Sequence, residues 1–244
     1  MACRPLLSAS MARRRESYWS RRDSDLAEAS GAAIGSPQHT ATTSSRGSDR
    51  MVSMSGLEAR FCRSLPWRRI TRHQVIPRVA GRVEGPTVLE IGCGSGAMAA
   101  EVLRARPDIE RYIATDIDPA MVRAARRRLA RFGGRAHVQL VDAAGLGFDD
   151  ESFDTVCSWL MLHHTIEWQR VIDDCVRVLR PGGRLIGYDL PDNLLGRTVH
   201  RVTRSSVVLV DPDRLVAHLD DLGLREVITE PMLAGQTYRF EAMR

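Results

Sequence analysis

Three glycines at alternate positions, Gly92, Gly94 and Gly96, fall in the run VLEIGCGSG, where an apolar segment gives way to a helical one near Ala97. Glycine permits a tight turn and close backbone approach, and the helix start leaves unpaired N–H groups facing a polar ligand. Such a loop cradles a nucleotide-type cofactor. Gly92, Gly94 and Ala97 also satisfy the dinucleotide pattern G-x-G-x-x-[GA], so the loop leaves a nicotinamide cofactor open, and a purely structural turn as well. Asp116 ends YIATD some twenty residues past the loop, where a carboxylate can accept both ribose hydroxyl hydrogens. Asp118, just before Pro119, reads instead as the N-cap of the next helix. Glu90 interrupts an apolar strand, where an acid is costly to bury without a partner, and a cationic amino group would supply one. The bland alternative is a strand-end carboxylate bonded to nearby backbone N–H groups. Asp142 and the pair His163 and His164 complete the set of residues able to bind or move protons.

These residues sit on a regular alternation of apolar runs and helical patterns. Strands are expected over Thr87–Ile91, Arg111–Thr115, His137–Val141, Phe153–Trp159 and Arg184–Asp189, with helices over Met98–Arg106, Ala120–Phe132 and Trp168–Leu179. A helix opened by Pro212 with Asp211 as its cap follows, then a closing strand pair over Leu224–Thr229 and Thr237–Met243. Strictly alternating strands and helices predict an α/β domain with a parallel sheet covered on both faces.

The domain is expected over residues 56–244, with an arginine-rich helical cap at 57–80 broken by Pro66 and Pro77, and a lid segment at 192–206. Residues 1–55 are rich in Ser, Thr, Ala and Arg, hold few large apolar residues without sustained periodicity and read as a disordered extension. Met51 and Met54 offer alternative starts that would make the first fifty residues an annotation artefact. All 35 basic residues are arginine. Residues 1–50 hold eight arginines against five acids, which leaves 27 against 25 in the rest, close to neutral and without the charge stripe of a nucleic-acid binder. The five scattered cysteines suggest neither a disulfide framework nor a zinc site and fit a reducing cytoplasm. No run approaches the roughly 18 to 20 apolar residues of a membrane span.

LEIGCGSG, ATDIDPAMV, LVDAAGLGF, FDTVCSWLMLHH and VLRPGGRLI occur in the order, and at roughly the spacing, of the motifs of class I S-adenosylmethionine (SAM)-dependent methyltransferases. The chain resembles that family closely from Pro86 to Tyr188 and loosely beyond. The resemblance implies a Rossmann-like seven-stranded sheet of order 3-2-1-4-5-7-6, its last strand antiparallel, with SAM across the strands' C-terminal ends. Glu90, Gly92, Cys93, Gly94 and Gly96 then match the acid and loop lining the methionine moiety. Asp116 matches the ribose-binding acid, Ile117 the apolar neighbour of the adenine, and Asp142 with Ala143 the pair at the adenine edge. Cys93 and Cys157 read as small core fillers. A nicotinamide site gives no reason for Glu90, which favours the methyltransferase reading.

In-line methyl transfer needs an aligned nucleophile and neither a triad nor a metal. If the nucleophile is a hydroxyl, enol or ring carbon, a base helps, and His163 and His164 follow the fourth strand where the family places its substrate-facing loop. Either histidine could instead pack or form a shelf for the cofactor, His163 being the cofactor-side candidate. Trp168 reads as a helix anchor. Substrate identity would reside in Trp67, Arg68, Arg69, Arg72 and His73 and in Leu194–Arg204, whose Arg197, Arg201 and Arg204 could face an anionic group, an anionic membrane surface or simply solvent. The leading expectation is a small-molecule or lipid-like acceptor. A protein or RNA acceptor should bring an added domain or an N-P-P-Y motif, whereas Ser158–Leu162 reads SWLML. A non-catalytic SAM-binding module is the third reading.

Overall fold

The computed structural model describes residues 69–192 and 208–244. The expected N-terminal extension, the cap up to Arg68 with Trp67, and all of the lid except Asp192 lie outside the described residues, as do Arg197, Arg201 and Arg204. The cap continues as a π turn over Thr71–Val75, a short helix α1 over Ile76–Val79 opened by Pro77, and a 3-10 turn over Ala80–Arg82.

Strand β1 spans Thr87–Ile91 with every residue buried, as a central strand covered on both faces requires. Helix α2 (Ala97–Ala105) follows the glycine loop, then β2 (Arg111–Asp116), α3 (Pro119–Leu129) and β3 (Ala136–Leu140). The second half runs β4 (Phe153–Trp159), α4 (Trp168–Val178), β5 (Leu179–Asp189), α5 (Pro212–Asp221), β6 (Arg225–Met232) and β7 (Thr237–Met243). The described strands form one sheet in the order β3-β2-β1-β4-β5-β7-β6, with β7 antiparallel to both of its neighbours. Among the described residues no helix is long and apolar enough to cross a membrane.

Local sequence accounts for the element ends. The Asp118 carboxylate accepts from Ala120 N at 2.6 Å and caps α3, and the Asp211 carboxylate accepts from Asp213 N at 2.8 Å and caps α5. Helix α3 stops at Leu129 rather than Phe132, because the chain tightens into a 3-10 segment over Ala130–Arg135 that breaks at Gly133. Strand β5 begins five residues before the expected Arg184: Leu179 pairs with Phe153, and the register then jumps to Thr155 beside Arg184, which places Pro181, Gly182 and Gly183 in the excursion.

One apolar cluster joins Val88 of β1, Ala114 of β2, Cys157 of β4 and Ile186 of β5 to Val79, Ala99, Leu103 and Ala125 of the first three helices. Full burial of the Val, Leu and Ile side chains among these contributes about 1.5–3 kcal/mol each, so the strand ends that carry functional groups rest on a rigid base. At β7 the buried Glu241 accepts from Arg82 at 3.2 Å, Arg184 at 2.8 Å and Arg239 at 2.7 Å, which ties the cap to the sheet.

Candidate functional site

The three glycines all take positive φ, +62° at Gly92, +53° at Gly94 and +72° at Gly96, so the sharp descent from β1 into α2 depends on residues without a side chain. Two further restraints fix the loop. Cys93 N donates to Thr115 O at 2.7 Å, stitching it to β2, and Arg128 of α3 donates to the Ser95 carbonyl at 2.9 Å and hydroxyl at 2.7 Å. A Cβ on Gly96 would lie 3.2 Å from Ala125 Cα, so this glycine serves the approach of α2 to α3. Over Gly94 the space is open, since a Cβ there meets nothing within 4 Å.

Asp116 stands where β2 ends against this loop. One of its carboxylate oxygens accepts from Gly94 N at 2.7 Å and the other from Asp118 N at 2.9 Å. Desolvation raises its pKa above the usual carboxylate range, and the two N–H bonds oppose that rise. A carboxylate has about four lone-pair directions, so each oxygen keeps capacity for one further donor.

The ends of β2 and β3 expose two large apolar side chains, Ile117 at 42% and Leu140 at 55%, with Leu140 paired in register with Asp116. Beside them Ala143 is buried and Asp142 half-buried. The Asp142 carboxylate accepts from Ala144 N at 2.9 Å and thus caps the turn it opens. Leu140 went unnoticed in the sequence because it completes an ordinary strand pattern. Its signal was an apolar residue ending an edge strand directly before VDAA.

Glu90 is buried on β1, and its carboxylate accepts from the Tyr112 hydroxyl at 2.7 Å. Burial pushes its pKa up to about 8, against the lowering effect of the Tyr112 bond. The backbone N–H partners imagined for a strand-end acid are not what holds it. Cys93 and Cys157 are buried, and desolvation raises both thiols well above their ordinary range, which fits core fillers and not nucleophiles.

His163 and His164 lie in a 3-10 turn over Leu162–His164 after β4, their rings 4.1 Å apart. His163 is buried with its Nδ1 2.5 Å from Asp189 at the end of β5. The same carboxylate accepts from Leu162 N at 2.8 Å and Leu190 N at 2.7 Å. A carboxylate at Nδ1 selects the Nδ1–H tautomer and leaves Nε2 as the basic nitrogen. Asp189 was missed because the contact joins residues 26 apart across two strands, yet an acid ending an apolar strand, as at Asp116, was a usable signal. Trp168 opens α4 and packs edge-on against His218 of α5 with ring centroids 5.5 Å apart, the anchoring role expected of it.

The structure therefore brings Glu90, Gly94 and Asp116 together at the ends of β1 and β2, continues to Ile117, Leu140 and Asp142 at β3, and places His163 at β4 and β5. Met161 links the two groups, because a Cβ on Gly92 would lie 2.1 Å from its Cγ. Arg69, Arg72 and His73 are exposed on the cap.

Residues 88–183 match the model of a family described as a methyltransferase domain. The chain is 30% identical over 196 residues to the 27-O-demethylrifamycin SV methyltransferase of Amycolatopsis mediterranei (strain S699), covering 68% of each chain. It belongs to the class I SAM-dependent methyltransferase family. The demethylmenaquinone methyltransferase of Clavibacter sepedonicus is 34% identical over 122 residues, and there the match spans 49% of this chain and 45% of the relative, about half its length. A SAM-dependent methyltransferase from Aquifex aeolicus superposes with a TM-score of 0.64 at 16% identity over 78% of this chain and 99% of that one, a likeness of fold. The strand order of this methyltransferase-family chain is the one its motifs implied.

Proposed function

We propose that this protein transfers a methyl group from SAM to a small-molecule or lipid-like acceptor, with the cofactor held at the ends of β1, β2 and β3. The observation that carries the reading is the Asp116 carboxylate, locked by the Gly94 and Asp118 N–H groups and flanked by the exposed apolar residues Ile117 and Leu140. An adenosine fits this set. Asp116 would accept the ribose hydroxyls, Ile117, Leu140 and Ala143 would meet the faces of the base, and Asp142 would receive its edge. The open space over Gly94 admits the chain that carries the sulfonium, and Glu90 offers a buried acid to its amino group.

When bound, SAM supplies a methyl group activated by a sulfonium, and the residues around it position that methyl group and exclude water. Asp189 orients His163, whose Nε2 would take the proton of the acceptor as its nucleophile attacks. His164, its ring tilted against that of His163, is the alternative base. The relatives named above for a demethylrifamycin and a demethylmenaquinone support an acceptor of this size class, and SWLML in place of N-P-P-Y supports it against base amino groups in nucleic acid.

A SAM-consumption screen over quinone, phenol, fatty-acid and amine panels tests the proposal. Turnover is expected with at least one class, abolished by Asp116→Ala. Tight SAM binding without turnover on any panel would replace the enzyme with a SAM-binding module.

A further inference from the structure

Glu90 is one of the largest anomalies in the core: an acid in a strand whose every residue is buried, within an apolar cluster, held by a single neutral hydroxyl. The titratable groups facing it are Tyr112 and Asp116 from β2, Cys157 from β4 and Cys93 from the glycine loop. All of these are neutral or negative, and the nearby buried residues of α2, Met98 and Ala99, carry no charge. Among the described residues no arginine or histidine pairs with it. An ionised carboxylate in such surroundings lacks compensation, whereas a neutral carboxyl is tolerated and can accept the Tyr112 bond.

We propose that Glu90, positioned by Tyr112, is neutral in the ligand-free protein and releases its proton to solvent when a cationic amine binds beside it, so that binding of SAM is coupled to deprotonation of this buried acid. The proposal rests on the methyltransferase reading and adds a linkage that the cofactor assignment does not contain. The proton balance is simple. The carboxyl loses one proton to buffer, the incoming ammonium keeps its own, and the two charges neutralise each other where neither is stable alone. Tyr112 is a positioning residue here. Its hydroxyl donates to the ionised carboxylate and eases the ionisation, so its removal should make the acid harder to ionise without ligand.

The same pair would discriminate between ligands. A nucleoside without the amine gives the carboxyl no reason to ionise and should bind with Glu90 still protonated. With an ionisation near pH 8 in the free protein, Glu90 should release about 0.9 proton per SAM at pH 7 and about 0.5 at pH 8. The free ligand's amine titrates at about 7.7–8.0, as α-amino groups do, and takes up protons on binding at higher pH, so variants are compared at a single pH.

The experiment is calorimetric titration of the full-length protein with SAM in phosphate and in Tris, buffers whose ionisation heats differ, which yields protons exchanged per binding event. Wild type should release about 0.9 proton more than Glu90→Gln at pH 7. At pH 8 Tyr112→Phe should release up to about 0.5 proton per SAM more than wild type, the uptake by the amine being common to both, which keeps the test decisive if Glu90→Gln fails to bind. 5′-Methylthioadenosine, which lacks the amine, should bind without that release. Equal proton release by wild type and Glu90→Gln, an unchanged value in Tyr112→Phe, or full release with 5′-methylthioadenosine would overturn the proposal while leaving SAM binding intact. Failure of wild type to bind SAM would overturn the methyltransferase reading and the linkage with it.

Discussion

Alanine at Gly92 and alanine at Gly94 should fail for different reasons. Both positions have positive φ, +62° and +53°, so each substitution forces an L-residue into the left-handed region at a cost of about 1–2 kcal/mol. At Gly94 nothing else is added, because the new Cβ meets no atom within 4 Å. At Gly92 the Cβ would lie 2.1 Å from Met161 Cγ and 2.9 Å from Met161 Cβ, and Met161 is only 4% exposed, so it has little room to retreat. Overpacking of this kind costs about 1–3 kcal/mol. Gly92→Ala should therefore lose about 2–5 kcal/mol in total, against about 1–2 for Gly94→Ala. In a domain of this size the gap corresponds to roughly 2–12 °C in Tm. Thermal and urea unfolding without ligand give the stabilities, and SAM titration gives the affinities. Gly94→Ala should fold nearly normally and lose SAM affinity, because the methyl group occupies the space left for ligand. Gly92→Ala should cost less in a Met161→Ala background than in wild type, a recovery read from the double-mutant cycle, because the crowded Cγ is gone. Equal destabilisation by the two alanines, or no recovery in the double variant, would refute the assignment of Gly92 to packing and Gly94 to the ligand.

Three further outcomes follow from the same geometry. Asp116→Asn leaves one acceptor oxygen where Gly94 N–H, Asp118 N–H and two ribose hydroxyls need two, and at about 1.5–3 kcal/mol per charged hydrogen bond SAM affinity should fall at least tenfold by calorimetry. For pH, the raised pKa of Glu90 means the folded state holds a proton that the unfolded state gives up. Its contribution is fully present below about pH 4.5 and is lost as pH rises toward 8 and through it. Urea unfolding of ligand-free protein should accordingly show a stability decline of a few kcal/mol across that window, absent in Glu90→Gln. Asp189→Ala removes the partner of His163 Nδ1, Leu162 N and Leu190 N together, and should cost on the order of 3 kcal/mol of stability by denaturation. Asp189→Asn, which keeps most of the packing, should lower kcat more than KM for SAM once an acceptor is in hand.

The fold was legible because its determinants are local. The bounds of β1 and β4 follow from apolar runs closed by turn residues, and the starts of α3 and α5 from an aspartate ahead of a proline. The site was legible at its backbone-defined parts, the glycine loop and Asp116, since both require particular residue types at fixed spacing. What escaped depends on which strands become neighbours. Tyr112 read as ordinary β2 core, and its role toward Glu90 exists only because β2 lies beside β1 in a register that sets Val88 against Tyr112. Asp189 reaches His163 because β5 lies against β4, and Arg128 reaches Ser95 because α3 packs against the glycine loop. Long-range polar partners of this kind leave no periodic trace in the chain. The beginning of β5 was misplaced for a related reason, since Leu179 pairs before the Pro181–Gly183 excursion, whereas the strand was expected only from Arg184.

A crystal structure of the protein with S-adenosylhomocysteine tests the central claim most directly. The ribose hydroxyls should lie about 2.5–3.0 Å from the Asp116 carboxylate. The adenine should contact Ile117 and Leu140, with the amino group on the Glu90 side of the glycine loop. Density for the nucleoside elsewhere, or an Asp116 carboxylate bonded only to Gly94 and Asp118 in a fully occupied complex, would contradict the account.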